Sequence, residues 1–180
     1  CAPCDAPFFR DKKVAVVGGG DSAMEEASVL TKYATEVTII HRRDEFRASA
    51  IMQEKVKSNP KIKILWNTEV VEAKGQAKLE SLILKNNQTG ETSELRVDGL
   101  FVAIGHTPTT DIFKGKVELD EKGYIKLMAN GRWPTATSVS GVFVAGDVHD
   151  HRYKQAITAA AFGCMAAMDV LDFLASGSQN

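Results

Sequence analysis

The chain has 180 residues, a net charge of −1, 44% hydrophobic residues and 25% charged residues, proportions that are ordinary for a soluble globular protein. The nearly balanced charge argues against nucleic acid or an anionic membrane as the main partner, and we expect no apolar run of membrane-spanning length. Three cysteines are too few for a secreted disulfide scaffold, so we expect a cytoplasmic protein whose cysteines serve chemistry.

The first 65 residues alternate between strand and helix patterns. Lys13–Val17 is a short β-branched run that precedes three glycines, which predicts a buried strand. A helix follows, with a capping box of Ser22 and Glu25 at its start. Its apolar face comprises Ala23, Ala27, Leu30 and Ala34. Three more elements are predicted: a strand over 36–40, a helix over 46–57 and a strand over 61–65. This order predicts half of a doubly wound α/β sheet.

The pattern changes after residue 65. Antiparallel strands are predicted over 69–74, 79–85 and 91–97, and a buried strand over 100–104 that returns to the parallel sheet. The remaining elements are a hairpin over 117–127, a strand over 141–144 and a final helix. The apolar stripe of that helix contains Ile157, Ala161, Cys164, Met168 and Leu171, and we expect Cys164 to be a core residue. One strand and one helix cannot bury a core alone, so residues 109–180 are expected to be half of a domain.

A glycine-rich loop lies between the first strand and the first helix. Gly18, Gly20 and Ala23 have the spacing G-x-G-x-x-A. The first glycine permits a tight turn, the second lets a pyrophosphate approach the backbone, and the small third residue lets helix and strand pack closely. The unpaired N–H groups of the helix start then face the phosphates. This context predicts dinucleotide binding.

Arginines occupy the position that selects between dinucleotides. NAD-binding units usually carry an acid about 20 residues after the loop, where it binds the ribose 2′-hydroxyl. Here the segment is "HRRDEFR", with Arg42, Arg43 and Arg47. Guanidinium groups bind a 2′-phosphate through charge-assisted hydrogen bonds, whereas an acid would repel it. The alternative is a solvated charged surface; the position in the motif favours NADPH.

Cys1 and Cys4 form a CxxC pair at the start of the chain. With a nucleotide site downstream, the pair is a candidate acceptor of electrons from NADPH, and a flavin normally relays such electrons. A zinc site would need four ligands, for which Cys164, His149 and His151 are the remaining candidates at unsuitable spacing. Two incidental thiols are a further alternative. The adjacent Asp5 is either a proton donor to a thiolate or a helix cap.

Five blocks together resemble the low-molecular-weight NADPH-dependent thioredoxin reductases over essentially the whole chain. They are "CAPCD", "VVGGGDSAMEEA", "IIHRRDEFRAS", "FVAIGHTP" and "GVFVAGDV" with the helix that follows it. The resemblance implies a Rossmann-like three-layer NADPH-binding domain (1–108) with an antiparallel β insertion, then the C-terminal part of an FAD-binding domain of the same class (109–180). It implies a homodimer that passes electrons from NADPH through FAD to the CxxC disulfide and on to thioredoxin.

The resemblance also implies roles for individual residues. Cys4 would face the flavin, Cys1 would attack thioredoxin and Asp5 would be the acid. The NADPH-binding residues would be Gly18, Gly19, Gly20, Asp21, Ser22, His41, Arg42, Arg43, Arg47, Ile104, Gly105 and His106. The FAD-binding residues would be Gly146, Asp147, Lys154, Gln155 and Ala156. No metal is implied.

Two other functions share these motifs. The reductase subunit of a peroxiredoxin system carries them as well, and a catalytically inactive NADPH-binding module would retain the glycine loop. Retention of both cysteines beside Asp5 argues against the inactive module. In the family an FAD-binding half precedes the redox cysteines, and we expect this chain to lack it. The chain alone is therefore expected to bind NADPH but to be inactive.

Overall fold

The structure is a computed structural model that describes residues 2–128 and 132–177. It divides into two compact units, Cys1–Gly105 and His106–Asn180. The predicted assignment of residues 1–108 and 109–180 to an NADPH-binding and an FAD-binding domain stays a prediction. The first unit contains the α/β elements, and the second contains turns and one long helix.

Seven strands in the first unit form two sheets. The parallel sheet has the order β3-β2-β1-β7. Its strands are β1 (Lys13–Val17), β2 (Glu36–Ile40), β3 (Ile62–Leu65) and β7 (Gly99–Val102). The antiparallel sheet consists of β4 (Thr68–Lys74), β5 (Ser81–Asn86) and β6 (Thr92–Arg96). The helices of this unit are α1 (Ala2–Asp5), α2 (Asp21–Leu30) and α3 (Ala50–Lys57).

The alternation of residues along β1 explains the three layers. Val14 and Val16 are fully buried in a core shared with α1, α2 and α3. Ala15 points to the opposite face, where it packs in a second core with Leu82 and Leu84 of the antiparallel sheet. Because successive side chains of a strand point to opposite faces, a buried strand can serve both layers. The α/β, Rossmann-like fold class with an antiparallel insertion is confirmed.

Both predicted helix starts in this unit are wrong. The N-cap of α2 is Gly20, and no side-chain cap is present among the described residues, because Ser22 lies inside the first turn and not before it. The second helix begins at Ala50, not at residue 46. Phe46 and Ala48 are instead buried in a loop, and the N–H groups of Arg47 and Ala48 in that loop bond to the carbonyl of Gly19.

The second unit has less regular structure than the sequence predicts. Its helix α4 (Ala156–Gly177) is confirmed. The predicted hairpin over 117–127 is reduced to a turn with one bridge, Leu119↔Ile125, and the predicted strand over 141–144 to one bridge, Ala136↔Phe143. An extended run becomes a strand only when a neighbour supplies a continuous ladder of hydrogen bonds, and the described residues of this unit supply single bridges.

The apolar stripe of α4 is exposed. Ile157, Met168 and Leu171 are 78%, 65% and 68% exposed, and Cys164 is exposed and reduced, so its expected place in a core is wrong in this chain. The helix has 22 residues and a mean hydropathy of 1.6, enough by length and composition to cross a membrane. The expectation that no apolar run reaches that length is therefore wrong. Length and composition of one helix are weak evidence for a membrane span.

Candidate functional site

The glycine loop lies at the point where the strand order of the parallel sheet reverses. β1 is flanked by β2, which follows it in the chain, and by β7, which returns from the antiparallel sheet. The loop begins directly after β1, and the N–H of Gly18 bonds to the carbonyl of Ile40 at the end of β2 (3.2 Å). Ligands of open α/β sheets bind at such switch points, beyond the carboxyl ends of the strands.

Each glycine in the loop meets a different environment. A Cβ atom at Gly18 would overlap the carbonyl of Ala103 and contact the Cβ of Ala23, so the first glycine permits close packing of β7 and α2. A Cβ at Gly19 would overlap the ring of His41. At Gly20 nothing lies within 4 Å of the Cβ position. The loop is therefore packed from below at its first two residues and open at the third.

The arginine segment is fastened to the glycine loop by backbone hydrogen bonds. The carbonyl of Gly19 accepts bonds from the N–H of Arg47 (2.8 Å) and of Ala48 (3.2 Å). At the end of the segment, the Oδ1 atom of Asp21 accepts bonds from the backbone N–H (2.8 Å) and hydroxyl (2.9 Å) of Ser49. These two bonds lower the pKa of Asp21 below its usual range. The carboxylate of Asp21 thus connects α2 with α3.

His41 forms the base of the loop. It is only 6% exposed, its Nε2 atom is hydrogen-bonded to the carbonyl oxygen of Glu45 (2.9 Å), and its ring lies near Phe46 and Trp66. Burial lowers the pKa of His41, and the positive charges of Arg43 and Arg47 lower it further. The hydrogen bond to Glu45 raises the pKa, but by less. A neutral His41 gives shape to the site and leaves the positive charge to the arginines.

A cleft of about 500 Å³ opens above the glycine loop, within the usual range for small-molecule sites. Nine of the residues predicted from the sequence line it: Gly18, Gly19, Gly20, Ser22, His41, Arg42, Arg47, Ile104 and Gly105. The other three predicted NADPH ligands, Asp21, Arg43 and His106, are among the described residues but lie outside the lining. Asp21 is engaged with Ser49 instead.

The cleft has the features needed to bind the phosphate groups of a dinucleotide. The open position at Gly20 is where a pyrophosphate can approach the backbone. The helix start beside it has no side-chain cap among the described residues, so its N–H groups and dipole favour an anion. Arg42 and Arg47 are exposed on the same cleft. Together these features offer backbone donors for one phosphate group and guanidinium donors for another.

Six residues that line the cleft are absent from the predicted set of ligands, and two of them, Val17 and Ile40, are the last residues of β1 and β2. Thr68, Glu69 and Val70 open β4, and Ala103 follows β7. The signal that could have found Ala103 is its position at the end of a strand predicted to neighbour β1. The first residues of β4 could not be found in this way, because their place follows from the packing of the antiparallel sheet on the parallel sheet.

The described part of the CxxC motif lies on α1. Cys4 and Asp5 are exposed, while Ala2 and Ala6 on either side are fully buried in the core with α2. These small residues hold α1 against the unit and leave Cys4 on its surface. Cys1 lies outside the described residues. Asp5 also lines a second cavity of about 420 Å³, together with Phe8, Phe9, Glu26 and residues 100–102.

The predicted FAD ligands surround the start of α4 in the second unit. Gly146 accepts backbone bonds from His149 and Asp150 (both 3.2 Å), and Asp147 beside it is exposed. The carboxylate of Asp150 then accepts bonds from three successive N–H groups, those of Arg152 (3.0 Å), Tyr153 (2.8 Å) and Lys154 (2.9 Å). Burial raises the pKa of Asp150, but these hydrogen bonds outweigh it and the pKa is lowered.

This hydrogen-bonded turn sets where α4 begins. Lys154 has a positive φ of 50°, a conformation that side chains other than glycine rarely adopt. The hydrogen bond from its N–H to Asp150 holds that conformation. Ala156 is the first residue of α4, so of the three residues predicted to begin the helix only Ala156 belongs to it, and Lys154 and Gln155 directly precede it. Lys154, Gln155 and Ala156 thus lie at a helix N-terminus, which favours negative charge, whereas Gly146 and Asp147 lie in the turn that precedes it.

Within residues 2–128 and 132–177, no group of three or more histidine, cysteine, aspartate or glutamate side chains is arranged to hold a metal ion. The structure places two of the three zinc candidates considered beside the CxxC motif. Cys164 is exposed on α4, and His149 is buried with its ring against Phe162.

Comparisons with known proteins agree with this geometry. A family model described as pyridine nucleotide-disulphide oxidoreductase matches residues 2–163. A protein named thioredoxin reductase from Streptomyces coelicolor is 54% identical over 176 residues. One named thioredoxin reductase 1, mitochondrial, from Arabidopsis thaliana is 57% identical over 185 residues. The predicted resemblance to thioredoxin reductases is confirmed.

Solved structures give the same result. A crystal structure of thioredoxin reductase from Streptococcus pyogenes superposes with a TM-score of 0.86 at 37% identity, over 98% of this chain and 56% of that chain. A thioredoxin reductase from Giardia duodenalis gives 0.80 at 46% identity, over 97% and 57%. The chain spans about half the length of the curated relatives: 98% of it covers 54% of the Streptomyces protein, and 99% of it covers 48% of the Arabidopsis protein.

Proposed function

Because the chain belongs to the pyridine nucleotide-disulphide oxidoreductase family, we propose that it functions as a thioredoxin-disulfide reductase that uses NADPH and FAD. The observation that carries this proposal is a glycine-loop cleft with two exposed arginines in the same compact unit as the CxxC motif. The relatives named thioredoxin reductase support the choice of thioredoxin as the protein substrate.

In this proposal the first unit binds NADPH. The backbone from Gly18 to Ser22 holds the pyrophosphate, with Gly20 giving the space for its approach. Arg42 and Arg47 bind the 2′-phosphate. Arg43 is exposed beside them, and it contributes through its charge at longer range. Bound NADPH and FAD supply the two-electron transfer that the chain's own side chains cannot carry out.

The CxxC motif supplies the disulfide chemistry. We assign Cys4 as the thiol that exchanges electrons with the flavin and Cys1 as the thiol that attacks the disulfide of thioredoxin. Asp5 is exposed at the end of α1, directly after Cys4. It is suited to donate a proton to the leaving thiolate and to take one from the attacking thiol.

The second unit contributes to FAD binding. Asp147 is exposed in the turn that follows Gly146 and is suited to bind hydroxyl groups of a ribityl chain. Lys154, Gln155 and Ala156 lead into α4, whose N-terminus would favour negative charge on a flavin bound there. The homodimer and the cytoplasmic location stay predictions, and the similar proteins include one named mitochondrial.

Calorimetry with NADPH and NADH tests the coenzyme assignment on this chain. We expect NADPH to bind more tightly, and an Arg42→Ala, Arg47→Ala double variant to lose that preference while binding NADH as before. Arg43→Ala is the matched control, since this exposed arginine lies outside the cleft lining, and it should lower NADPH affinity less than either lining arginine. Equal affinities for the two coenzymes in the unmodified chain would contradict the assignment.

A mixed-disulfide assay tests thioredoxin as the substrate. The target is a thioredoxin variant in which the buried partner cysteine is serine and the remaining cysteine carries thionitrobenzoate. In Cys4→Ser, the thiolate of Cys1 should attack the target's sulfur, release thionitrobenzoate and form a stable protein–protein disulfide. The control Cys1→Ser, Cys4→Ser retains only the exposed Cys164. Equal rates for the two variants would contradict the role of Cys1.

A further inference from the structure

The turn between β5 and β6 reaches back to the arginine segment. The side-chain Nδ2 atom of Asn87 donates a hydrogen bond to the backbone carbonyl of Arg42 (2.7 Å). The backbone N–H of Asn87 bonds to the carbonyl of Asn67 (2.7 Å), and the N–H of Asn67 bonds to the carbonyl of Arg43 (3.1 Å). The carbonyl of Arg42 is therefore held by a turn that is 45 residues away in the chain, and the carbonyl of Arg43 is held by Asn67, to which the same turn is bonded.

Asn87 itself does not line the cleft in the described part of the chain. It is exposed in the turn. Since a carbonyl oxygen can only accept, the amide must present its NH₂ group to Arg42. The effect of Asn87 on the site therefore passes through the backbone of Arg42.

Holding the backbone of Arg42 matters for ligand binding because the side chain of Arg42 is exposed. A long exposed arginine loses conformational freedom when it binds a ligand, and the loss increases when its own backbone also moves. His41, the preceding residue, is fixed by its buried ring and by the bond from the N–H of Thr68 to its carbonyl (2.9 Å). Asn87 extends this fixed region by one residue, to the first arginine of the cleft.

We infer that Asn87 is a positioning residue that sets the selectivity for a 2′-phosphorylated dinucleotide by holding the backbone of Arg42. This inference rests on the proposed function, because it requires that Arg42 binds the 2′-phosphate. The pyrophosphate contacts at Gly18–Ser22 do not depend on Asn87. Loss of its side chain should therefore weaken NADPH binding and leave NADH binding unchanged.

The test compares Asn87→Ala with Gln88→Ala by calorimetry with both coenzymes. Gln88 is the adjacent exposed residue of the same turn, so it controls for a general effect on the turn. We expect Asn87→Ala to lower the affinity for NADPH about three- to tenfold, the size of one lost hydrogen bond. NADH affinity, and both affinities of Gln88→Ala, should stay within experimental error of the unmodified chain.

A double-mutant cycle with Arg42→Ala separates positioning from a general structural effect. If Asn87 acts through Arg42, Asn87→Ala should have no further effect on NADPH affinity once Arg42 is alanine. An equal loss for NADPH and NADH, a loss that persists in Arg42→Ala, or no loss at all would overturn the inference. If the unmodified chain does not prefer NADPH, the proposed coenzyme assignment fails instead, which the same titrations reveal.

Discussion

The imidazole ring of His41 lies directly beneath Gly19, in the space that a Cβ atom would occupy. The two residues belong to different connections of the sheet: Gly19 follows β1 and His41 follows β2. Their contact, with the bonds from Arg47 and Ala48 to the carbonyl of Gly19, fixes the glycine loop against the arginine segment. One dinucleotide site is thus assembled from two neighbouring loops of the sheet.

Gly19→Ala should destabilise the first unit. The new methyl group would overlap a ring that is itself buried and hydrogen-bonded to Glu45, and overpacking of this kind costs about 1–3 kcal/mol. Chemical denaturation monitored by circular dichroism measures the effect as a lower midpoint. An unchanged midpoint would mean that the His41 ring does not occupy the space beneath the loop.

Gly20→Ala should leave stability unchanged and weaken coenzyme binding. Its backbone is extended (φ −99°, ψ 179°) and nothing lies within 4 Å of the Cβ position, so the variant should keep the stability of the unmodified chain. The methyl group would stand where the pyrophosphate approaches, and we expect NADPH and NADH affinities to fall together by tenfold or more, about 1.4 kcal/mol. A variant that binds both coenzymes normally would place the pyrophosphate elsewhere.

The parallel sheet and its glycine loop could be predicted because their signals are local. β1 and β2 are short β-branched runs, and their bounds match the prediction. The start of α3 could not be predicted in this way. Phe46 continues the apolar pattern of that helix, yet it packs on Trp66 with ring centroids 4.3 Å apart. Trp66 follows β3, and this long-range contact overrides the helical periodicity.

The arginines of the site also combine a local signal, which the sequence shows, with long-range contacts, which it does not. The sequence places Arg42, Arg43 and Arg47 after β2, but it does not show which of them line the cleft. That depends on the hydrogen bonds that hold the segment, from the side chain of Asn87 to the carbonyl of Arg42 and from the N–H of Arg47 to the carbonyl of Gly19. Asn87 carried no signal in the sequence, because nothing local relates a turn residue to a segment so far away in the chain.

His149 leads to a prediction on stability and pH in the second unit. Its Nε2 atom is buried without a hydrogen-bond partner among the described residues, and its ring meets Phe162 edge-on at 4.2 Å. An unsatisfied buried polar atom costs about 1–3 kcal/mol. His149→Leu should therefore raise the free energy of unfolding at pH 7.5, measured by urea denaturation.

The pH dependence of that gain has a definite sign. Burial lowers the pKa of His149; the bond to its own carbonyl and the charge of Asp150 oppose this, and His151 adds to it. The unfolded chain, with a histidine pKa of about 6.5, therefore takes up a proton before the folded chain does, and stability falls as the pH drops below that value. The advantage of His149→Leu should grow between pH 7.5 and pH 5.5. An advantage that shrinks over this range would contradict the buried, neutral His149.

Two aspartates of α4 should differ in their contribution to stability. The Oδ2 atom of Asp169 accepts bonds from the N–H (2.9 Å) and hydroxyl (2.6 Å) of Thr135, which is fully buried. Asp172 binds Arg132 and the indole N–H of Trp133 at an exposed position. Asp169→Ala leaves two buried donors unsatisfied, at a cost of about 2 kcal/mol or more. Asp172→Ala lets water replace the carboxylate, and its effect on the unfolding midpoint should be much smaller than that of Asp169→Ala.

The comparison of these two variants also tests how α4 is held in its unit. The apolar stripe of the helix is exposed, so its contacts with residues 132–137 depend on polar groups and on the ring of Phe173 against Trp133 (5.2 Å). If Asp169 anchors the helix, urea denaturation should show a much lower midpoint for Asp169→Ala than for Asp172→Ala. Equal midpoints would contradict the role of Asp169 as the anchor of the helix.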